Sequence, residues 1–304
     1  MNTDDLRILL ELSRTGRLNA VAGRMQLDET TVSRRLARLE QSVGSRLIDR
    51  GRHGWQLTAA GEILIPHAEA IENARLAAVD ELSTSRQTLS GAIRVLAPDG
   101  FGVYVLIPGL ADLRDQHPDL TLEISTATSQ GAVTARDFDV AISLEPSNVP
   151  TVRAAPLAEY ELRLYASADY LRRNGEPSST RDVIDGHSVI WYIDSMLDVR
   201  PLRLLDTILA GAHARVQCNN ITGQVQAAIN GLGIAPLPTF IGEREPRLVP
   251  VLPESFAVKR AYWMIAPEIG LPLRRVQATI EAVRALVDKH PDLDLLPRAD
   301  GAPG

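Results

Sequence analysis

Residues 28–40 read DETTVSRRLARLE, and the spacing inside this stretch restricts the fold more than any other feature of the chain. Val32, Leu36 and Leu39 recur at i, i+4 and i+7, so a helix here buries one stripe. The opposite face carries Glu29, Thr30, Ser33, Arg34 and Ala37, and Asp28 is a residue type that caps a helix start. Two shorter helical segments come before it. From about Thr3 to Ser13, Leu6, Leu9, Leu10 and Ser13 share a face, with Thr3 as the cap and Gly16 as the stop. From Asn19 to Met25, Val21, Ala22 and Met25 share another; Asn19 or the preceding turn caps it, and Gln26 and Leu27 form the next turn. Two short helices, a tight turn and a polar-faced third helix make a helix-turn-helix, whose last helix is the one that enters a DNA major groove. The following RGRHGWQLT predicts a small β-hairpin wing, with Gly51 and Gly54 around Arg52 and His53.

Charge separates this region from the rest. The chain of 304 residues has a net charge of −6, but residues 1–57 hold ten arginines against seven acids, a balance of +3. Residues 58–304 hold 22 basic residues against 31 acids, a balance of −9. Only Lys259 and Lys289 are lysines, and arginine suits bidentate recognition of phosphate or guanine. The start is acidic and polar, without a signal peptide, and the apolar runs are too short to span a bilayer, so the expected location is the cytoplasm. A single cysteine, Cys218, excludes an intrachain disulfide and a cysteine-based metal site.

Thr58 to about Gln87 reads as one helix of roughly 45 Å, with Leu64, Ile71 and Ala78 repeating at seven and Ala68, Ala74 and Leu82 in the same stripe. Such a stripe calls for a partner helix, which predicts self-association, and Pro66 predicts a kink near the helix start. Beyond the linker STSRQTLSG the texture changes. Strands are expected at Ile93–Ala97, Leu120–Thr126, Asp139–Ser143, Tyr160–Ala166, Val189–Tyr192, Ala214–Cys218, Gly233–Pro236 and Tyr262–Ala266. Helices are expected at Val103–Gln116, Ser167–Arg173, Thr180–Ile184, Thr222–Asn230 and Leu273–His290, and the tail after Pro291 is expected to fray. The alternation implies parallel βαβ units with ligand crevices at strand C-termini.

The order of these features closely resembles the LysR-type transcriptional regulators. The N-terminal matches are LRILLELSRTGRLNAVAGRM, TVSRRLARLE, Gly44, RLIDR and LTAAG at the family's spacing. LIPGLADLRDQHPDLTLEI, RDFDVAI, ADYLRRNGEP, DGHSVI and GLGIAPLP carry the resemblance onward, to about residue 290. Two departures stand out: Asp28-Glu29-Thr30-Thr31 replaces a common Ser-Gln-Pro-Ala or Ser-Gln-Pro-Ser, and Arg17 stands where serine is common. The resemblance implies an N-terminal all-α winged helix-turn-helix with a long linker helix, and a C-terminal α/β effector domain of two periplasmic-binding-protein-like lobes. The implied boundaries are 1–57 for DNA binding, 58–90 for the dimerisation helix and hinge, and 91–304 for the effector domain. Lobe I takes about 91–160 and 266–304, and lobe II about 161–265, with crossings near Ala158–Glu161 and Ile265–Pro267.

Candidate DNA contacts are Glu29, Thr30, Thr31, Ser33, Arg34, Arg35 and Arg38 on the third helix, with Arg52 and His53 in the wing. Arg34 can donate two bonds to a guanine edge, and Glu29 can accept from cytosine N4 or simply favour the helix start; Arg38 can pair within its own domain instead. Trp55 is expected to pack on the domain. The resemblance points to three loops for a small-molecule effector, with Asp99, Phe101, Thr126, Thr128, Ser129, Asn219, Asn220 and Ile221, and Ser143 is a further candidate. No catalytic or metal-binding residue is assigned and no cofactor is expected, since no Gly-x-Ser-x-Gly elbow, P-loop or His-Glu-x-x-His occurs. The expected function is sequence-specific, effector-responsive regulation of transcription by a bacterial homodimer or dimer of dimers on promoter DNA, with RNA polymerase a candidate partner. The alternative is a stand-alone small-molecule binding protein or enzyme whose N-terminal region serves assembly.

Overall fold

A computed structural model of the chain describes residues 1–51, 54–82, 89–126, 138–193 and 205–297. Two compact units divide it, one formed by Met1–Gln87 and the other by Thr88–Leu271 with Arg275–Gly304.

The first unit contains α1 (Thr3–Thr15), α2 (Leu18–Met25), α3 (Glu29–Val43), β1 (Ile48–Gly51), β2 (Gly54–Leu57) and α4 (Ala59–Leu82). Asn2, not Thr3, caps α1, because its side chain accepts from the Asp4 N–H while Thr3 is already helical. Gly16 ends α1 at φ 63°, and α2 starts at Arg17 without a side-chain cap. Gln26, at φ 53°, closes the turn into α3. Leu6, Leu9 and Leu12 of α1, Val21 of α2, the Val32–Leu36–Leu39 stripe of α3 and Ile65 and Ala68 of α4 share one core. Trp55 packs on its edge.

Residues of the TVSRRLARLE and LTAAG stretches hold this unit together by bonding to its backbone. Glu40, at the end of TVSRRLARLE, accepts from the N–H groups of Leu47 (2.8 Å) and Ile48 (3.3 Å), tying α3 to β1. Thr58 donates to the Arg46 carbonyl at 2.6 Å and accepts from the Gly61 N–H at 3.1 Å. A side chain at Gly61 would meet the Leu47 carbonyl, so LTAAG needs its glycine for close approach.

Helix α4 alters the expected stripe. Ala68 is buried in the unit's own core and Leu64 and Ile71 pack against it, while Ile63, Ala70, Ala74 and Ala78 are exposed. Pro66 lies inside the helix.

In the second unit the elements are β3 (Gly91–Ala97), α5 (Asp99–Phe101), α6 (Ile107–Gly109), α7 (Ala111–Gln116), β4 (Leu120–Thr126), β5 (Val140–Ser143), β6 (Val152–Ser167), α8 (Ala168–Asn174) and α9 (Thr180–Gly186). They continue with β7 (Val189–Tyr192), α10 (Leu205–Ile208), β8 (Ala214–Cys218), α11 (Ile221–Ile229), β9 (Ala235–Pro238), α12 (Thr239–Gly242), β10 (Leu248–Val251), β11 (Val258–Pro267), α13 (Arg274–Asp288) and β12 (Asp294–Leu295). The single helix expected at Val103–Gln116 is broken, with a π turn over Gly102–Leu106 between α5 and α6. Pro108 removes a backbone donor there, which interrupts a continuous α ladder.

Parallel pairing holds for β3 with β4 and β5, and for β7 with β8, but the unit as a whole is mixed. Strand β6 runs from Val152 to Ser167, eight residues earlier than expected, and pairs antiparallel with β11 from Val152–Pro267 to Leu162–Val258. Its far end then pairs with β9 and β10. The expected crossing at Ala158–Glu161 therefore lies inside one long strand, and the main sheet orders as β10-β6-β11-β5-β3-β4. The tail does not fray directly after Pro291: β12 pairs with Glu159 and Ala158, and Leu296 donates to the Leu157 carbonyl at 2.9 Å. Arg94 of β3 clamps Asp139 just before β5 with its backbone N–H and its guanidinium, each at 2.8 Å.

Candidate DNA interface and ligand cavity

The polar face of α3 is built outward from its cap. One Asp28 carboxylate oxygen accepts from the Thr31 N–H at 2.7 Å and from the Thr30 hydroxyl, and the other accepts from the Thr31 hydroxyl at 2.9 Å. The Thr30 hydroxyl, then the Thr31 backbone and hydroxyl, hold the Asp28 carboxyl down at about 2. Both threonine hydroxyls thus donate their protons to Asp28, which leaves them acceptors toward any other partner. Glu29, Ser33 and Arg34 are exposed beside them and Arg35 is half-buried.

Acids already engage several arginines of this unit. Glu11 pairs with Arg14 and Arg24, each at 3.1 Å, Glu72 with Arg7 at 3.1 Å, and Asp49 with Arg46 at 3.3 Å. Arg38, a sequence candidate for DNA, grips Asp5 with Nε at 2.9 Å and Nη2 at 2.7 Å. Asp5 is 1% exposed, so the arginine closes over a buried carboxylate and has a structural task that the sequence spacing of 33 residues conceals. Asp5→Asn and Arg38→Gln are each expected to lower the melting temperature, and the double variant to lower it by less than their sum. Strictly additive shifts in thermal unfolding would show that the pair is not coupled.

Among the described residues Arg17, Arg34 and Arg35 have no acid partner. Arg17, at the α2 start, is the arginine that stands where the resembled family favours serine, a departure that bears on which DNA is read. Arg52 and His53 lie outside the described residues.

In the second unit a cavity of ≈ 270 Å³ is bounded by the loop after β3, by β6 and β11, by the end of β7 and by the start of α11. Of the seven sequence candidates among the described residues, Asp99 and Ile221 line it. Asp99 is already engaged, because its Oδ2 accepts from the Thr222 N–H at 3.1 Å and the Thr222 hydroxyl at 2.9 Å, linking the β3 half to α11. Phe101 is 0% exposed and packs edge-on against Tyr262 at 4.9 Å, which makes it core. Ser143 is buried and accepts from the Glu145 N–H at 3.2 Å. Asn220 caps α11 through Gly223 at 2.7 Å and donates to Asn219 at 2.9 Å. Thr126 is exposed at the end of β4, off the cavity wall, and Thr128 and Ser129 lie outside the described residues.

The wall that sequence reasoning missed is aromatic. Tyr160 and Tyr262 stack at 4.4 Å with 14° between their planes, and Trp191 and Tyr192 stand edge to face at 5.5 Å. Burial pushes Tyr160 up to about 12 and raises Tyr192 and Tyr262 too, so all three keep their protons at ordinary pH. These rings lie far apart in the sequence and only the fold brings them together.

The first unit thus has the helix-turn-helix plan of DNA-binding domains, and the second is an α/β unit with a partly open cavity. The sequence profile described as "Bacterial regulatory helix-turn-helix protein, lysR family" matches residues 3–62, and "LysR substrate binding domain" matches residues 86–288. The chain belongs to the LysR family and is a transcriptional regulator with a helix-turn-helix DNA-binding domain and an effector-binding domain. It is 28% identical over 277 residues to the HTH-type transcriptional regulator HdfR of Yersinia pestis (strain Pestoides F), covering 87% of this chain and 91% of that protein. Its fold is similar to a full-length OxyR variant from Pseudomonas aeruginosa, with TM-score 0.69, 17% identity, and 95% and 98% of the two chains covered. ArgP from Mycobacterium tuberculosis gives TM-score 0.68, 20% identity, and 94% and 97%. The family is one of transcriptional regulators rather than enzymes, and its members bind DNA and small-molecule effectors and form oligomers. Among the described residues no helix is long and apolar enough to cross a membrane.

Proposed function

We propose that α3 reads promoter DNA in the major groove with Glu29, Thr30, Thr31, Ser33, Arg34 and Arg35, aided by Arg17 and by Arg52 and His53 of the wing. Arg38 contributes mainly through its grip on Asp5. The observation that carries this reading is the exposed Ser33–Arg34 face, opposite the buried Val32–Leu36–Leu39 stripe, whose arginine has no acid partner among the described residues. Arg34→Ala is expected to remove about 1–3 kcal/mol of discrimination at one base pair of each half-site. Selection of bound sequences from a randomised duplex pool measures it. A uniform loss across all sequences would make Arg34 a phosphate contact instead.

The aromatic cavity is the effector seat in this reading, supported by its position between the loop after β3 and the start of α11. The working boundaries are 1–57 for DNA binding, 58–90 for the dimerisation helix and hinge, and 91–304 for effector binding. Lobe I spans about 91–160 and 266–304, and lobe II about 161–265. Self-association runs along the exposed Ile63–Ala70–Ala74–Ala78 positions of α4, where small residues allow close helix approach. Dimers, alone or paired on promoter DNA, act in the cytoplasm, with RNA polymerase a further candidate partner.

A further inference from the structure

Hydrogen bonds inside the polar face of α3 limit what that face can show a base. Thr30 is exposed and lies four residues before Arg34, so the two side chains stand one above the other, opposite the buried Val32, Leu36 and Leu39. At a rise of about 1.5 Å per residue they are roughly 6 Å apart along the helix, enough to reach different base pairs. A threonine hydroxyl ordinarily rotates to donate or accept, whichever its partner requires. That of Thr30 is committed, because its proton goes to the Asp28 carboxylate oxygen that also caps the helix at the Thr31 N–H. The Thr30 hydroxyl and the Thr31 bonds hold this carboxyl down at about 2, so Asp28 has no proton to give back at ordinary pH. Thr30 Oγ1 therefore meets DNA with lone pairs alone. In the major groove cytosine N4 and adenine N6 donate, whereas guanine N7 and O6 and thymine O4 accept. Thr30 also stands where the resembled family's common stretch has proline, a side chain without any hydrogen-bonding group, so this contact belongs to the present chain.

We propose that Thr30 selects cytosine or adenine over guanine or thymine on the strand it contacts, and that Asp28 is the positioning residue that sets this sense by holding the hydroxyl proton. The inference rests on the reading of α3 as the helix that contacts DNA. It adds to the charged contact at Arg34 a second, neutral one, whose preference follows from the direction of a hydrogen bond.

Selection of bound sequences from a randomised duplex pool tests it, with the full-length protein and its Thr30→Ala, Asp28→Gly and Asp28→Asn variants. The wild type is expected to favour C or A at one position of each half-site by roughly threefold to tenfold, the worth of one neutral hydrogen bond. Thr30→Ala is expected to lose that preference and to keep the one that Arg34→Ala removes. Asp28→Gly frees the Thr30 hydroxyl to rotate and is expected to lose the same preference, while glycine still serves as a helix cap. Asp28→Asn is expected to retain it, because the amide oxygen must face the Thr31 N–H and so still receives the Thr30 proton. Thermal unfolding identifies any variant that fails to fold, and the comparison with Thr30→Ala, a change at an exposed side chain, stands without the others. A preference for G or T at the Thr30-dependent position overturns the proposal. So does a base pattern unchanged in Thr30→Ala, or an Asp28→Gly variant that weakens all sequences alike, which would make Asp28 a cap alone. An Asp28→Asn variant that behaves as Asp28→Gly overturns it too. In each of these cases an Arg34→Ala variant that relaxes one base position leaves α3 as the reading helix. If neither Arg34→Ala nor Thr30→Ala relaxes any position, the reading of α3 fails with the proposal.

Discussion

Phe101→Ala is expected to destabilise the effector-binding unit by about 3–5 kcal/mol, the range for removing a buried aromatic ring. Phe101 is 0% exposed, and its ring meets Tyr262 edge-on at 4.9 Å, with 60° between planes. Tyr262 in turn stacks on Tyr160, which meets Phe240 at 5.9 Å, so four rings share one packed row. Truncation leaves a hole where rigid neighbours relax only partly, adding a cavity cost to the lost transfer energy. Two of those neighbours also line the ligand cavity, so the variant should lose ligand affinity as well as stability. Denaturant unfolding monitored on the second unit measures the first effect. A change under about 1 kcal/mol, well short of that range, would return Phe101 to the list of surface contacts.

Affinity for promoter DNA is expected to fall by about 10³ between 50 and 200 mM salt if a dimer makes six phosphate contacts, because each releases a condensed counterion. The chain carries −6 overall, so this dependence must come from locally concentrated charge rather than from bulk attraction. Arginines already paired with acids add little to such a slope, which singles out Arg17 and Arg35 among the described residues as the phosphate contacts to test. Arg17→Gln should reduce the log–log slope by about one unit per protomer and weaken all sequences alike. A titration series of a labelled promoter fragment at several salt concentrations reads the slope directly. Affinity indifferent to salt would remove arginine–phosphate contact from the account.

The N-terminal unit was legible because its determinants are local. The Val32–Leu36–Leu39 stripe, the Asp28 cap and the Gly16 stop each act within a turn or two of helix. What escaped depends on pairs distant in the chain. Asp5 and Arg38 look like an ordinary helix-start acid and an ordinary surface arginine until the fold joins them. The first half of β6, with Ala154, Ala155 and Pro156, lacks a strand signature, and only its long pairing with β11 extends it. The cavity was harder still: Tyr160, Trp191 and Tyr262 each read as buried strand residues, and they are that as well as cavity wall. Candidate loops were sought at strand ends, where Asn220 and Ser143 turn out to satisfy backbone groups rather than face the cavity.

The two bonds from Glu40 to Leu47 and Ile48 have a consequence for how DNA is read. They fasten the base of the hairpin to the end of α3, so a shift of one carries the other. A DNA-binding surface held together in this way shifts part of the adjustment to the double helix, where base steps that bend or narrow easily deform at lower cost. If α3 contacts DNA as proposed, operators with identical contacted bases but stiffer or softer spacer sequence are expected to differ in affinity, and Glu40→Ala to narrow that difference.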